Sequence, residues 1–221
     1  MKIILYIYVL LISPLYASTI IYSSSYIDVI NEKVVSNSSI TIEGNKITDI
    51  SKGFIKLDSS DNLIDLRGYT LLPGLMDMHV HFGGEYKSKA ERPVKVERET
   101  EAILATQHAY KTIMAGFTTV RQVGDSGMVA ISLRDAINSK QVIGPRIYTS
   151  GKSIATTGGH ADPTNGKDVD SYEYPAAEDG VINGPYEAYT AVRQRYKDGA
   201  DGIKLTVAGG VLSLAKSGHN P

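Results

Sequence analysis

The sequence predicts an α/β protein: a short run of β-strands, then βα units like those that build the N-terminal half of a TIM-like (β/α)8 barrel. Three observations point there. Between Thr19 and Leu66, isoleucines and valines alternate with polar residues, as in SSITIE (38–43) and KITDIS (46–51), the period-2 signature of half-buried strands. After Pro73 the rhythm changes to short apolar runs separated by helical stretches, which implies a parallel sheet with helices outside it. Where the rhythm changes lies LLPGLMDMHVHF (71–82), with two histidines one residue apart.

Each element can be justified in order. The first residues read as an export signal: Lys2 supplies a positive start, and Ile3 to Ile12 form an apolar run too short for a comfortable bilayer span. Pro14 breaks that run and Leu15-Tyr16-Ala17 ends in a small residue, so a signal peptide over 1–17 and a mature chain from Ser18 are expected, exported to the periplasm or the exterior. No stable membrane anchor is expected to remain after cleavage. Residues 18–70 read as part of a small β-sandwich domain, with Gly44-Asn45 as a hairpin turn. Residues 71–221 read as four βα units.

In the first unit, side chains at alternate positions of a strand share a face. Leu75, Asp77, His79 and His81 lie on one face, and Met76, Met78 and Val80 make the other wholly apolar, as for a barrel strand packed on helices. A helix from about Glu97 to Met114 stops at Gly116. The second strand is FTTVRQVG (117–124), with a short helix near Ala130–Ser139. Gly144-Pro145 precedes a third strand, Arg146–Ser150, and a long polar loop carries TTGGHAD (156–162). Pro185 suits a helix start and Gly199 its close, and the fourth strand is GIKLTVA (202–208). A closed barrel takes about 250 residues. Here the four units end in the loop after strand four, and SGHNP (217–221) reads as a cut.

Composition narrows the chemistry. A net charge of −1 gives no electrostatic reason to expect nucleic acid as partner. There is no cysteine, so disulfides, thiolate metal sites and a cysteine nucleophile are excluded. A metal would be held by histidine, carboxylate or a less usual ligand, and adjacent imidazoles at His79 and His81 make the first half of such a site; a pair of solvated or core histidines is the other reading. Strand parity turns Gly202, Lys204 and Thr206 inward and Ile203, Leu205 and Val207 outward. A buried ammonium is costly, and burial favours the neutral amine of a lysine; a salt-bridged interior lysine is the other reading for Lys204. Asp77 is placed to orient the His79 imidazole or to bond the backbone. His160, in a Gly-rich loop on the active side of a barrel, binds substrate or is an ordinary loop histidine. His108 is structural, and His219 in the tail carries no assignment.

Together IDLRGYTLLPGLMDMHVHFGGE (64–85), MAGFTTVRQVG (114–124), TTGGHAD and GADGIKLTVAGGV (199–211) resemble the metal-dependent amidohydrolase superfamily. Among its branches they look most like the imidazolonepropionase-related and Xaa-Pro-dipeptidase-like enzymes. The resemblance implies a (β/α)8 barrel plus a small β-sandwich. It also implies two Zn2+ ions per full-length chain, held by His79, His81 and a carbamylated Lys204 that bridges the metals. The remaining metal-site residues of such enzymes, two histidines and an aspartate proton shuttle from strands five to eight, have no counterpart here, so this chain is expected to be an inactive N-terminal fragment. Gln122 stands where similar sequences often carry Asp. The implied reaction is hydrolysis of amide or peptide C–N bonds in a dipeptide or N-acyl amino acid by a metal-bridging hydroxide. Alternatives are a mononuclear deaminase or cyclic-amide hydrolase, and a non-catalytic exported binding protein. A homo-oligomer is compatible with the full-length form.

Overall fold

A computed structural model describes residues 17–83, 97–125 and 127–210. Residues 1–16 of the expected export signal (1–17) and the SGHNP tail with His219 lie outside the described residues. The chain divides between Pro73 and Gly74 into two units.

The first unit holds β1 (Thr19–Asp28), β2 (Lys33–Glu43), β3 (Lys46–Lys52) and β4 (Asn62–Leu71). They form one four-stranded sheet in the order β3-β2-β1-β4. β2 and β3 pair antiparallel from Glu43↔Lys46 outward, and Gly44 takes the left-handed backbone (φ +62°) that the expected Gly-Asn turn requires. The β1–β2 turn is held by Asp28, whose Oδ1 accepts from the Ile30 and Asn31 amides at 3.2 and 3.0 Å. β1 also pairs parallel with β4, a long-range pairing with no local signal. Ile20, Tyr22 and Ile40 are buried. The Tyr22 ring meets Phe54 at 5.1 Å between centroids, and the Arg67 guanidinium lies over both rings. Asp65 holds Arg67 from the other side, and that bond draws the Asp65 carboxyl down to about 2.

The second unit alternates β5 (Leu75–Val80), α1 (Arg98–Met114), β6 (Phe117–Gln122), α2 (Val129–Asn138), β7 (Arg146–Thr149), β8 (Ile154–Ala155), α3 (Pro185–Asp198) and β9 (Leu205–Thr206). β5, β6 and β7 form a parallel sheet in that order, the α/β arrangement of a TIM-like barrel in its first strands. Its core gathers Phe82, Ala105, Ala109, Val120, Val129, Leu133 and Ile147. Ala105 and Ala109, one turn apart, give α1 a small-residue stripe, and Gly144 packs where a Cβ would meet Ile137 and Ala109. α3 starts on Pro185 and closes on Gly199 at φ +88°.

Two expectations are corrected. The fourth strand, expected over 202–208, contracts to Leu205–Thr206 and pairs with β8, inside what reads as loop, rather than with β7. The cause is a kink after β7. Gly151 turns the chain at φ +57°, and its amide donates to Thr149 Oγ1 at 3.0 Å. Asp201 therefore meets Thr149, while the Ile154 amide reaches the Lys204 carbonyl at 2.8 Å. Secondly, Met76 and Met78 remain 67% and 51% exposed, and only Val80 of that face joins the core. Leu205 and Val207 are likewise 56% and 57% exposed. β5 and β9 are edge strands, and among the described residues no helix covers these side chains.

Candidate metal and substrate cleft

The C-terminal ends of β5 and β6 and the start of β9 open on one cleft of about 780 Å³, lined by His79, His81, Gln122, Lys152, His160 and Lys204 among others. This is the end of a parallel barrel where sites are built. The structure brings His79, His81, His160 and Lys204 to one cavity. His108 stays apart in α1, where its Nδ1 lies 2.9 Å from the Phe82 carbonyl.

The His79 and His81 rings lie 5.2 Å apart between centroids, edge to face at 63°. Burial depresses the His79 pKa below the ordinary imidazole value, and the neighbouring His81, Lys204 and Arg121 charges push it the same way, against Asp77. The neutral ring with an available lone pair is therefore favoured. Asp77 reaches His79 through the main chain: its Oδ1 accepts from the His79 amide at 2.9 Å. The backbone alternative for Asp77 is the geometry found, because its side chain folds along its own strand.

His81 is held differently. Its Nδ1 lies 3.3 Å from the Gly124 carbonyl. A carbonyl only accepts, so the contact makes Nδ1 the protonated nitrogen and leaves the Nε2 lone pair free. Gln122, 1% exposed, sits beneath: its Oε1 accepts from the Phe82 amide at 2.9 Å and its Nε2 donates to Gly124 O at 3.1 Å.

Lys204 is half-buried and lines the cleft beside His79. Its strand is fixed from below by Asp201, whose carboxylate accepts from Arg134 Nη1 at 2.9 Å and from the Thr149 amide at 2.8 Å. The opposite wall is the TTGGHAD loop. The His160 amide donates to the Ala208 carbonyl at 2.9 Å, and the Ala161 amide to Thr206 Oγ1 at 3.2 Å. Gly159 comes so close that a Cβ would lie 2.3 Å from the Thr206 carbonyl. Asp162 anchors the loop, accepting from the Gly158 amide at 2.8 Å and from Thr164 N and Oγ1 at 2.9 and 2.7 Å. Burial raises its pKa, but these donors outweigh burial and hold it below the ordinary value.

In donor chemistry His79, His81 and Lys204 suit a divalent ion: two imidazoles, one with its tautomer set by a carbonyl, and an amine facing the same space. Among the described residues no group of three or more His, Asp or Glu side chains is placed to hold a metal ion. The roles of Gln122, Gly124 O, Asp201 and Asp162 were not evident from sequence. The signals available were the Asp in GADGIK, three residues before an inward lysine, the Asp that ends TTGGHAD, and Gln122 standing where similar sequences often carry Asp.

Comparisons with known proteins agree with this architecture. A crystal structure of a Xaa-Pro dipeptidase with methionine bound in its active site superposes with a TM-score of 0.89 at 68% identity, covering 93% of this chain and 50% of that one. A prolidase complexed with N-methylphosphonate-L-proline gives 0.75 at 26% identity, covering 91% and 49%. Ochratoxinase from Aspergillus niger is 27% identical over 194 residues, 81% of this chain and 38% of that protein. The chain thus spans half or less of the length of these relatives. Residues 70–220 match the amidohydrolase family, and with strands, cleft and relatives in agreement, the chain belongs to that family.

Proposed function

We propose that this chain supplies the metal-binding first strands of an enzyme that hydrolyses amide or peptide C–N bonds, with a dipeptide or an N-acyl amino acid as substrate. Amidohydrolases are generally metal-dependent. The observation that carries the reading is the meeting of His79, His81 and Lys204 in one cleft with His160 on its wall. The Xaa-Pro dipeptidase and prolidase relatives support the dipeptide class, and ochratoxinase supports amide hydrolysis more broadly.

His79 and His81 would hold one divalent ion, with zinc the natural choice for two imidazoles in a cysteine-free chain. Lys204, carbamylated, would connect it to a second. When bound, the metal supplies a hydroxide at neutral pH and polarises the scissile carbonyl. His81 presents Nε2, fixed from behind by Gly124. His160, carried on a loop stapled to β9, faces substrate. An inward Lys204 favours the dinuclear reading over a mononuclear deaminase.

The deciding experiment measures metal content and amide hydrolysis in the native protein, with Xaa-Pro dipeptides and N-acyl amino acids as separate substrate panels. About two zinc-like ions per chain are expected, with His81→Ala and Lys204→Ala each losing metal and turnover. A Lys204→Ala variant that keeps both ions would remove the bridge. Native protein that binds no divalent metal would remove the whole reading.

A further inference from the structure

The buried Gln122 amide connects both ends of the contact that holds His81. Its Oε1 accepts from the amide of Phe82, the residue next to His81, at 2.9 Å. Its Nε2 donates to the Gly124 carbonyl at 3.1 Å, and the same oxygen faces His81 Nδ1 at 3.3 Å. One side chain therefore sets the spacing between the His81 backbone and the acceptor that orients its ring. The close approach at Gly124 depends on its having no side chain. Its φ of +122° suits glycine, and a Cβ there would lie 2.6 Å from Ser153 Oγ and 3.7 Å from His81 Cε1.

We propose that Gln122 is a positioning residue that locks His81 as the Nδ1–H tautomer with Nε2 directed to the cleft, a role that serves metal binding if the function above holds. An amide meets the chemistry of this position. Phe82 N–H needs an acceptor and Gly124 C=O a donor, and only a side chain with both satisfies the two at once. A carboxylate would serve Phe82 but set its second oxygen against the Gly124 carbonyl, lone pair to lone pair, with a charge buried beside it. Gln122 therefore fits this backbone geometry where an aspartate or glutamate would not.

The test uses Gln122→Glu, which keeps size and loses the donor, and Gln122→Met, which keeps length and loses both functions. In metal-free protein at about pH 8.5, where imidazoles are neutral, long-range 1H–15N spectra report the His81 tautomer. Zinc titration against a chromophoric chelator reports affinity. Wild-type His81 is expected as Nδ1–H with slowly exchanging Gln122 side-chain amide protons. Both variants are expected to show mixed tautomers and zinc affinity lower by roughly 10- to 100-fold, as for other residues that orient metal ligands. An Nε2–H His81 in wild type, or freely exchanging Gln122 amide protons, overturns the proposal whether or not the variants fold. A folded Gln122→Met with wild-type tautomer and wild-type zinc affinity also overturns it. If wild type binds no zinc, the metal function falls, and the tautomer spectra still decide the role of Gln122.

Discussion

Asp201 and Thr149 grip each other twice: the Asp201 amide donates to the Thr149 carbonyl at 2.7 Å, and the Thr149 amide donates to the Asp201 carboxylate at 2.8 Å. The pair ties the end of β7 to the turn that leads into Lys204, in place of the longer strand pairing expected there. Arg134 completes the clamp from α2, through Asp201 Oδ2 at 2.9 Å and the Gly199 carbonyl at 2.8 Å.

Asp201→Ala should therefore destabilise the second unit by about 1–3 kcal/mol, because it strips acceptors from a buried amide and a largely buried guanidinium. Arg134→Ala should cost less, since the Thr149 bond survives. The Arg134→Ala/Asp201→Ala double variant should cost less than the sum of the singles. Denaturant unfolding of all four proteins measures this. Strict additivity would mean that the clamp is not a unit.

Asp162 gives a pH-dependent effect with a definite sign. Its folded pKa lies below the unfolded value of 3.8 because donors from Gly158 and Thr164 outweigh burial. The unfolded chain thus takes up the proton first as pH falls. The stability that ionised Asp162 contributes is full above the unfolded value and is lost as pH falls through the folded one. Asp162→Asn should accordingly be less stable than wild type near neutrality. The gap should close as pH is lowered from about 5 toward about 2. Unfolding curves across that range measure it, and a gap that widens toward acid would reverse the assignment.

We further propose that the protein is exported and cleaved after Ala17, on the grounds of Lys2, the apolar run Ile3–Ile12, Pro14 and the small Ala17. N-terminal sequencing of protein recovered from the producing cell should begin at Ser18. A mature chain that retains Met1 would end that proposal.

Where side chains alone decide geometry, the sequence was legible. An i, i+2 spacing puts His79 and His81 together, and parity sends Lys204 to the same side. Pro185 and Gly199 bracket α3 because each has a backbone conformation that suits a helix end. What escaped reading depends on backbone groups, which every residue carries alike. The Gly124 carbonyl that fixes His81, the Thr149 peptide that captures Asp201 and the β8–β9 pairing in a loop rich in glycine and threonine have no compositional mark. The β1–β4 pairing escaped for a related reason, since a parallel contact across forty-odd residues has no turn to announce it.

The exposed faces of the second unit lead to the last prediction. Met76 and Met78 on β5, Leu205 on β9 and Val207 just after it are each at least half exposed, and among the described residues both strands lie at the edges of their sheets. Edge strands that carry apolar side chains and unpaired peptide groups offer a template for another chain, and contiguous apolar surface seeks a cover. The 221-residue chain on its own should therefore self-associate and bind a hydrophobic dye such as ANS. Replacing Met76 and Met78 with lysine should lower both signals, because charge on an edge strand opposes pairing. Sedimentation velocity and dye fluorescence over a concentration series provide the measurement. A monodisperse, dye-silent monomer at tens of micromolar would refute the prediction.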